Sequence, residues 1–269
     1  MSKNWDGISL YHYTSFKALE GIINTKELWM GNIHYMNDRK EVLHFFECLQ
    51  KEIEKDLPDK KKEIEQLFKK QNEKYNGKTA YIFSLSNVKD DASQWDRYAN
   101  GGRGVCIKIN AAKLVEIIEK NSKIMTLQNI YYSSNMSSHQ SKALIETYLE
   151  TGNISESWGS IDALFENLWM CALAFKHDSF KAEDEVRICS WPFMEGCNDL
   201  RYIVSENGLR EYFPLKLCSE IERSLGNIIE EICLGPNSGV DHNMFFRYLQ
   251  TMNFDWKGIE ITQSDCPLR

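Results

Sequence analysis

Short β-rich runs recur along the chain and alternate irregularly with helical patterns: ISLYHYT, ELWMGN, TAYIFSLSN, GVCIKIN, QNIYYS, EVRICSW, REYFPLKL, EEICLGP and GIEITQS. Each is bounded by Gly, Asn, Ser or a charge cluster, as strands usually are. A doubly wound parallel sheet would need regular strand–helix–strand repeats, which do not occur here. The order predicts an α+β fold with a mixed or mostly antiparallel sheet. No internal repeat or low-complexity linker divides the 269 residues, so one domain over 1–269 is expected.

Two helical blocks punctuate the runs. From Asp38 to Leu57 apolar residues recur at Val42, Phe45, Phe46, Leu49, Ile53 and Leu57, one face of a helix. Pro58 breaks the pattern, and Ile64, Leu67, Phe68 and Tyr75 resume it. The spacing predicts a helical hairpin inserted over 40–75, with its charged side facing solvent. The second block, about 138–175, carries Phe165, Leu168, Trp169, Ala172 and Phe175 on one face, and TGNISESWGS reads as a turn within it. DHNMFFRYLQTM predicts a last helix before the final strand.

Composition narrows the function classes. Apolar residues at 42% and charged residues at 26% suit a packed domain and count against global disorder. A net charge of −7 disfavours non-specific binding to nucleic acid or anionic membrane, though a local basic groove is compatible with it. The N-terminal stretch has no long apolar segment, and no run approaches the roughly 18 residues that span a bilayer. The eight cysteines are dispersed, without CxxC spacing, which predicts free thiols in a cytoplasmic protein and no zinc site.

Five segments hold the candidate chemistry. Strand alternation places Ile8, Leu10, His12 and Thr14 on one face. His12 therefore continues an apolar face, either as a core histidine bonded to a backbone carbonyl or as a ligand contact. In YIFSLSN, Ile82, Ser84 and Ser86 lie opposite Tyr81, Phe83 and Leu85. Two successive serines on one face either make room for a ligand ring or bond their own backbone. In FKAEDEVRI, Val186 and Ile188 point one way, and Glu183, Glu185 and Arg187 the other. Carboxylates so placed repel unless something separates or uses them. They form either a surface ion-pair row with Arg187 and Lys181 or a glutamate pair at the floor of a cleft. In QWDRYANGGRGVCI, Trp95 and Tyr98 fall on one helical side. The glycines behind them match neither GxGxxG nor a P-loop and read as a tight turn with positive φ. In MNDRKE, Asn37 or Asp38 is the expected N-cap, and Arg39 either faces solvent or reaches a phosphate at the helix start.

In this order, YHYTS, NIHYMND, FSLSN, GRGV and EVRI resemble an uncharacterised family of bacterial and phage-associated proteins of unknown function. The resemblance runs from Tyr11 to Arg269, excepting the helical insert. That family is in turn similar to the ADP-ribosyltransferase fold, a split mixed sheet whose enzymes use NAD through a His or Arg, a Ser or Tyr, and a Glu on successive core strands. The resemblance implies His12 at the first position, with Thr14 beside it, and Ser84 or Ser86 at the second. It implies Glu185 as the catalytic glutamate, with Glu183 as the first member of an E-x-E pair. Tyr98 or Trp95 would stack on nicotinamide, and Arg39 would contact the pyrophosphate. NAD is then a substrate, and no metal is required.

Cleavage of the nicotinamide–ribose bond develops positive charge on the ribose, as in glycoside hydrolysis. A carboxylate held near that ribose lowers the barrier selectively. The expected function is transfer of ADP-ribose to a macromolecular acceptor, RNA, DNA or protein, in a toxin or anti-phage setting with a neutralising partner protein. The alternatives are an NAD glycohydrolase, a non-catalytic nucleotide- or peptide-binding module, or an adaptor built on the helical hairpin.

Overall fold

Strand β1 (Ser9–Thr14) leads into α1 (Phe16–Thr25) through Ser15, whose side chain accepts from the Ala18 N–H as an N-cap. Strand β2 (Glu27–Asn32) follows, then α2 (Asp38–Asp56) and α3 (Lys61–Tyr75), separated at Pro58. Next come β3 (Tyr81–Ser86), α4 (Ala92–Tyr98), β4 (Val105–Asn110), α5 (Ala111–Asn121), β5 (Met125–Asn129) and β6 (Tyr131–Tyr132). Helices α6 (Gln140–Thr151) and α7 (Ile161–Leu173) precede β7 (Phe175–Lys176), a 3-10 turn over Asp178–Glu183, and β8 (Glu185–Ser190). The hairpin of β9 (Arg201–Ser205) and β10 (Gly208–Lys216), then β11 (Ile229–Leu234), α8 (His242–Thr251) and β12 (Glu260–Gln263), complete the order. The computed structural model describes residues 4–35, 38–75, 78–121, 125–138, 140–152, 161–190, 200–205, 208–218, 224–252 and 255–268.

Among these residues the main sheet runs β12-β11-β4-β1-β3-β2-β10-β9, with β8 and β5 branching from β3. All its pairings are antiparallel except β11 with β12, so the sheet is mixed and the fold is α+β. Strand β3 is where the sheet splits. One edge pairs with β8 from Ile82↔Cys189 to Ser86↔Glu185. The other edge meets β2 at Tyr81 and Ile82 and β1 only at Ser86. The backbone around Ser84 therefore lies in a gap between β1 and β2.

The sheet buries a different core on each face. Tyr81, Phe83, Leu85, Val186 and Ile188 pack with Leu19 and Ile23 of α1, Leu114 of α5, and Phe245 and Leu249 of α8. On the opposite face Ile82 and Cys189 pack with Phe45, Leu49, Ile64, Leu168 and Phe175. The expected hairpin forms as α2 and α3. Its apolar stripe is joined by α6 and α7, so it shares one core with the second helical block. Each fully buried side chain of Leu, Ile or Phe size contributes roughly 1.5–3 kcal/mol. The split in the sheet and this helical layer together bound the space described next.

Candidate functional site

A cleft of 470 Å³ opens at the split, within the range of small-molecule sites. His12 of β1, Ser84 and Ser86 of β3, Tyr98 of α4, Glu183 and Glu185 all line it. So do Tyr13, Tyr35, Glu41, Leu85, Gln94, Lys176, Phe180 and Arg210.

His12 is bonded to a backbone carbonyl and also lines the cleft. Its Nδ1 lies 3.0 Å from the Ser84 carbonyl oxygen, which can only accept, so Nδ1 carries the hydrogen. This bond supplies a partner for a carbonyl in the gap between strands. The ring also packs on Phe83, with centroids 4.4 Å apart. Burial lowers the His12 pKa to about 4, although the Ser84 bond opposes the shift, so the ring is neutral near pH 7. With Nδ1 protonated, Nε2 is a hydrogen-bond acceptor.

The two serines differ. Ser86 is buried, donates to the Glu183 carbonyl at 2.7 Å and accepts from the Val88 N–H at 3.0 Å. It serves the local backbone. Ser84 is half-buried, and no bond of its hydroxyl to another described residue is seen.

The acidic segment is a buried ion network. Strand alternation holds along β8, with Val186 and Ile188 in one core and Glu185 and Arg187 on the other face. Glu183 lies outside the strand, at the end of the 3-10 turn. Asp184, at φ 39°, takes the left-handed conformation between the two glutamates, a turn few non-glycine residues adopt. Both carboxylates then reach Lys176, whose Nζ is 2.6 Å from Glu183 Oε2 and 2.7 Å from Glu185 Oε2. Arg187 donates through Nε to Glu185 Oε1 at 2.6 Å and through Nη2 to Glu41 Oε2 at 2.9 Å. Arg97 and the Tyr98 hydroxyl both reach Glu183 Oε1, at 3.0 and 2.8 Å. A surface row with Lys181 is thus corrected: the partner is Lys176, and Glu183, Glu185 and Arg187 are 3%, 5% and 1% exposed.

Charge balances within this set. Glu41, Glu183 and Glu185 face Lys176, Arg187 and Arg97. Burial raises the Glu185 pKa, but Arg187 and Lys176 outweigh it and hold the carboxyl at about 2. Burial lowers the Lys176 pKa, but Glu185, Glu41 and Glu183 outweigh it and hold the ammonium above the usual lysine range. The Tyr98 hydroxyl is pushed up to about 12, first by burial and then by the glutamates around it, against the opposing pull of Lys176.

Other expected residues fall elsewhere. Trp95 is fully buried, donates to Asp90 Oδ1 at 2.7 Å and meets Tyr13 edge-on, away from the cleft. It is a core residue and not a stacking platform. Thr14 is buried opposite Val105 of β4 and does not line the cleft. Arg39 and the candidate caps Asn37 and Asp38 lie outside the described residues or have side chains that do. Gly101 and Gly102 take φ of 65° and 75°, the tight turn that the sequence predicts. Sequence reasoning missed Lys176, Glu41 and Arg210. The available signal for Lys176 was a lysine directly behind the apolar run CALAF.

Fold and cleft together define an α+β protein with a ligand-sized, ion-paired site at a split sheet. Residues 94–188 match a family described as "Protein of unknown function (DUF2971)". The match takes in Tyr98, Lys176, Glu183 and Glu185 and leaves His12 and Ser84 outside it. No curated protein and no solved structure matches the chain. Among the described residues no helix is long and apolar enough to cross a membrane.

Proposed function

We propose that this chain is an NAD-dependent ADP-ribosyltransferase acting on a macromolecular acceptor. One observation carries the reading: His12, Ser84 and Glu185, from three different strands, meet at a single cleft. The resemblance that pointed to them required that convergence, and separate locations would have ended it.

The side chains suit the chemistry. A neutral His12 offers Nε2 to a ribose hydroxyl, and Ser84 offers a second bond. Exposed rings of Tyr35, Tyr98 and Phe180 stand along the cleft and suit a planar base or nicotinamide. Glu185 stays ionised over the whole neutral range and stabilises positive charge on the ribose as nicotinamide leaves. Glu183, beside Tyr98 and the half-exposed Arg97, takes the acceptor side. Loss of one such electrostatic contact commonly costs on the order of 100- to 1000-fold in rate. The free thiols of the described cysteines suit a reducing, cytoplasmic setting. Such an activity would harm its own cell, so a toxin or anti-phage role with a neutralising partner belongs to the same reading.

A second reading rests on the same glutamate. Glu185 already accepts from Arg187 at Oε1 and from Lys176 and Arg187 at Oε2. A carboxylate so committed favours a nucleotide-binding cleft without turnover. Incubation of wild type and Glu185→Gln with NAD labelled in the adenylate, plus protein, RNA and DNA pools, separates the readings. Label in one pool, lost in the variant, supports transfer and names the acceptor. Free ADP-ribose alone means a glycohydrolase, and bound but uncleaved NAD means a binding module.

A further inference from the structure

Lys176, which lines the cleft, is committed to buried carboxylates, and so are Arg187 and Arg97, which pair with the glutamates of its lining. Arg210 differs. It lines the same cleft and is exposed, and no carboxylate among the described residues pairs with it. Register explains its position. Strand β10 pairs with β2 from Lys216↔Glu27 to Tyr212↔Gly31, then continues with β9 alone, where Arg210 faces Ile203. Arg210 therefore stands beyond the last β2 pairing. The chain leaving β2 forms the 3-10 turn Ile33–Tyr35, whose last residue lines the cleft too. Alternation completes the placement. Phe213 and Leu215 enter the core beneath α1, α5 and α8, so Arg210, an odd number of residues away, takes the opposite face, which carries the cleft.

We propose that Arg210 is the anion subsite of this cleft, binding the phosphate groups of a ligand whose ribose end lies at His12 and Ser84. The inference rests on the NAD reading and names the residue that receives the pyrophosphate. A guanidinium is always charged and presents paired donors that match two phosphate oxygens. The carboxylates of the inner network are already neutralised, so Arg210 adds a positive charge that the network does not cancel. In a chain of net charge −7, a cleft-wall arginine that no described carboxylate pairs with selects for an anion there.

The test is calorimetric titration of the full chain with NAD and with nicotinamide riboside, which keeps the ring and ribose but lacks phosphate. Arg210→Ala is expected to weaken NAD about 10- to 100-fold and to leave riboside affinity and melting temperature unchanged. Arg210→Lys is expected to restore part of the NAD affinity, and Arg210→Glu to lose more than Arg210→Ala. Unchanged NAD affinity in Arg210→Ala overturns the subsite alone, as does an equal loss for both compounds. A wild type that binds neither compound overturns the NAD reading and the subsite with it.

Discussion

The Nδ1–H of His12 donates to the Ser84 carbonyl across 3.0 Å, at the point where β1 and β2 part along the edge of β3. One bond thereby satisfies a backbone group that the split leaves between strands and fixes the tautomer that turns Nε2 into an acceptor. The structural role and the proposed ligand contact coincide at this residue.

That coincidence has a pH signature. The folded His12 value, about 4, lies below the ordinary 6.5. Between them the unfolded chain binds a proton that the folded chain does not, so stability rises with pH across this window. The contribution is complete above pH ~6.5 and is lost as pH falls through about 4, amounting to about 3 kcal/mol. Denaturant titrations of wild type and His12→Gln at pH 7 and 4.5 are expected to show wild type losing more. Parallel loss in both proteins would contradict it.

The glutamate network predicts strong coupling. Lys176→Met leaves Glu183 and Glu185 without their shared cation, and breaking a buried pair costs about 3–5 kcal/mol. Glu183→Gln in the same chain removes one of the stranded charges. The double variant is therefore expected to be less destabilised than the sum of the singles by about 1–3 kcal/mol. Additive losses in a urea-unfolding cycle would mean the three charges act separately. Glu185 also sets an acid limit. Its folded value, about 2, lies below the ordinary 4.5, so its stabilisation is full above pH 4.5 and disappears as pH falls through about 2.

Ser84 and Ser86 are predicted to separate activity from stability. Ser86→Ala removes bonds to the Glu183 carbonyl and the Val88 N–H, at a cost of about 1–2 kcal/mol. Ser84→Ala is expected to leave unfolding within about 0.5 kcal/mol of wild type while weakening NAD. Melting curves beside NAD titrations decide this, and the opposite pattern would exchange the two assignments.

Tyr98 and Trp95 part in the same way. Tyr98→Ala should weaken NAD by about 1–3 kcal/mol if its ring stacks on a base, with a stability cost of about 1.5–3 kcal/mol for the lost bond to Glu183. Trp95→Ala empties a fully buried site and should cost about 3–5 kcal/mol of stability. Equal effects of both on NAD binding by the folded proteins would remove Tyr98 from the ligand.

These pairs also mark what the sequence can reveal. The α+β order follows from irregular strand and helix spacing. The faces of β8 follow from alternation, because side chains along a strand alternate whatever its neighbours are. Helical spacing put Trp95 and Tyr98 on one side, yet residues three apart diverge by about 60°. At the margin of a buried stripe that angle sends one ring inward and the other out. Lys176 was hidden because a left-handed Asp184 and a 3-10 turn bring it to glutamates seven and nine residues away. Arg210 depends on where β2 stops pairing with β10, and Glu41 joins Arg187 across 146 residues, so neither carries a local signal.

The proposed function requires that the cleft at the split sheet bind and cleave NAD. Release of nicotinamide from NAD, followed chromatographically for wild type and Glu185→Gln under the same conditions, tests it most directly. Wild type is expected to release nicotinamide, and the variant to do so on the order of 100- to 1000-fold more slowly. No release by wild type with any acceptor pool, or equal release by both proteins, would contradict it.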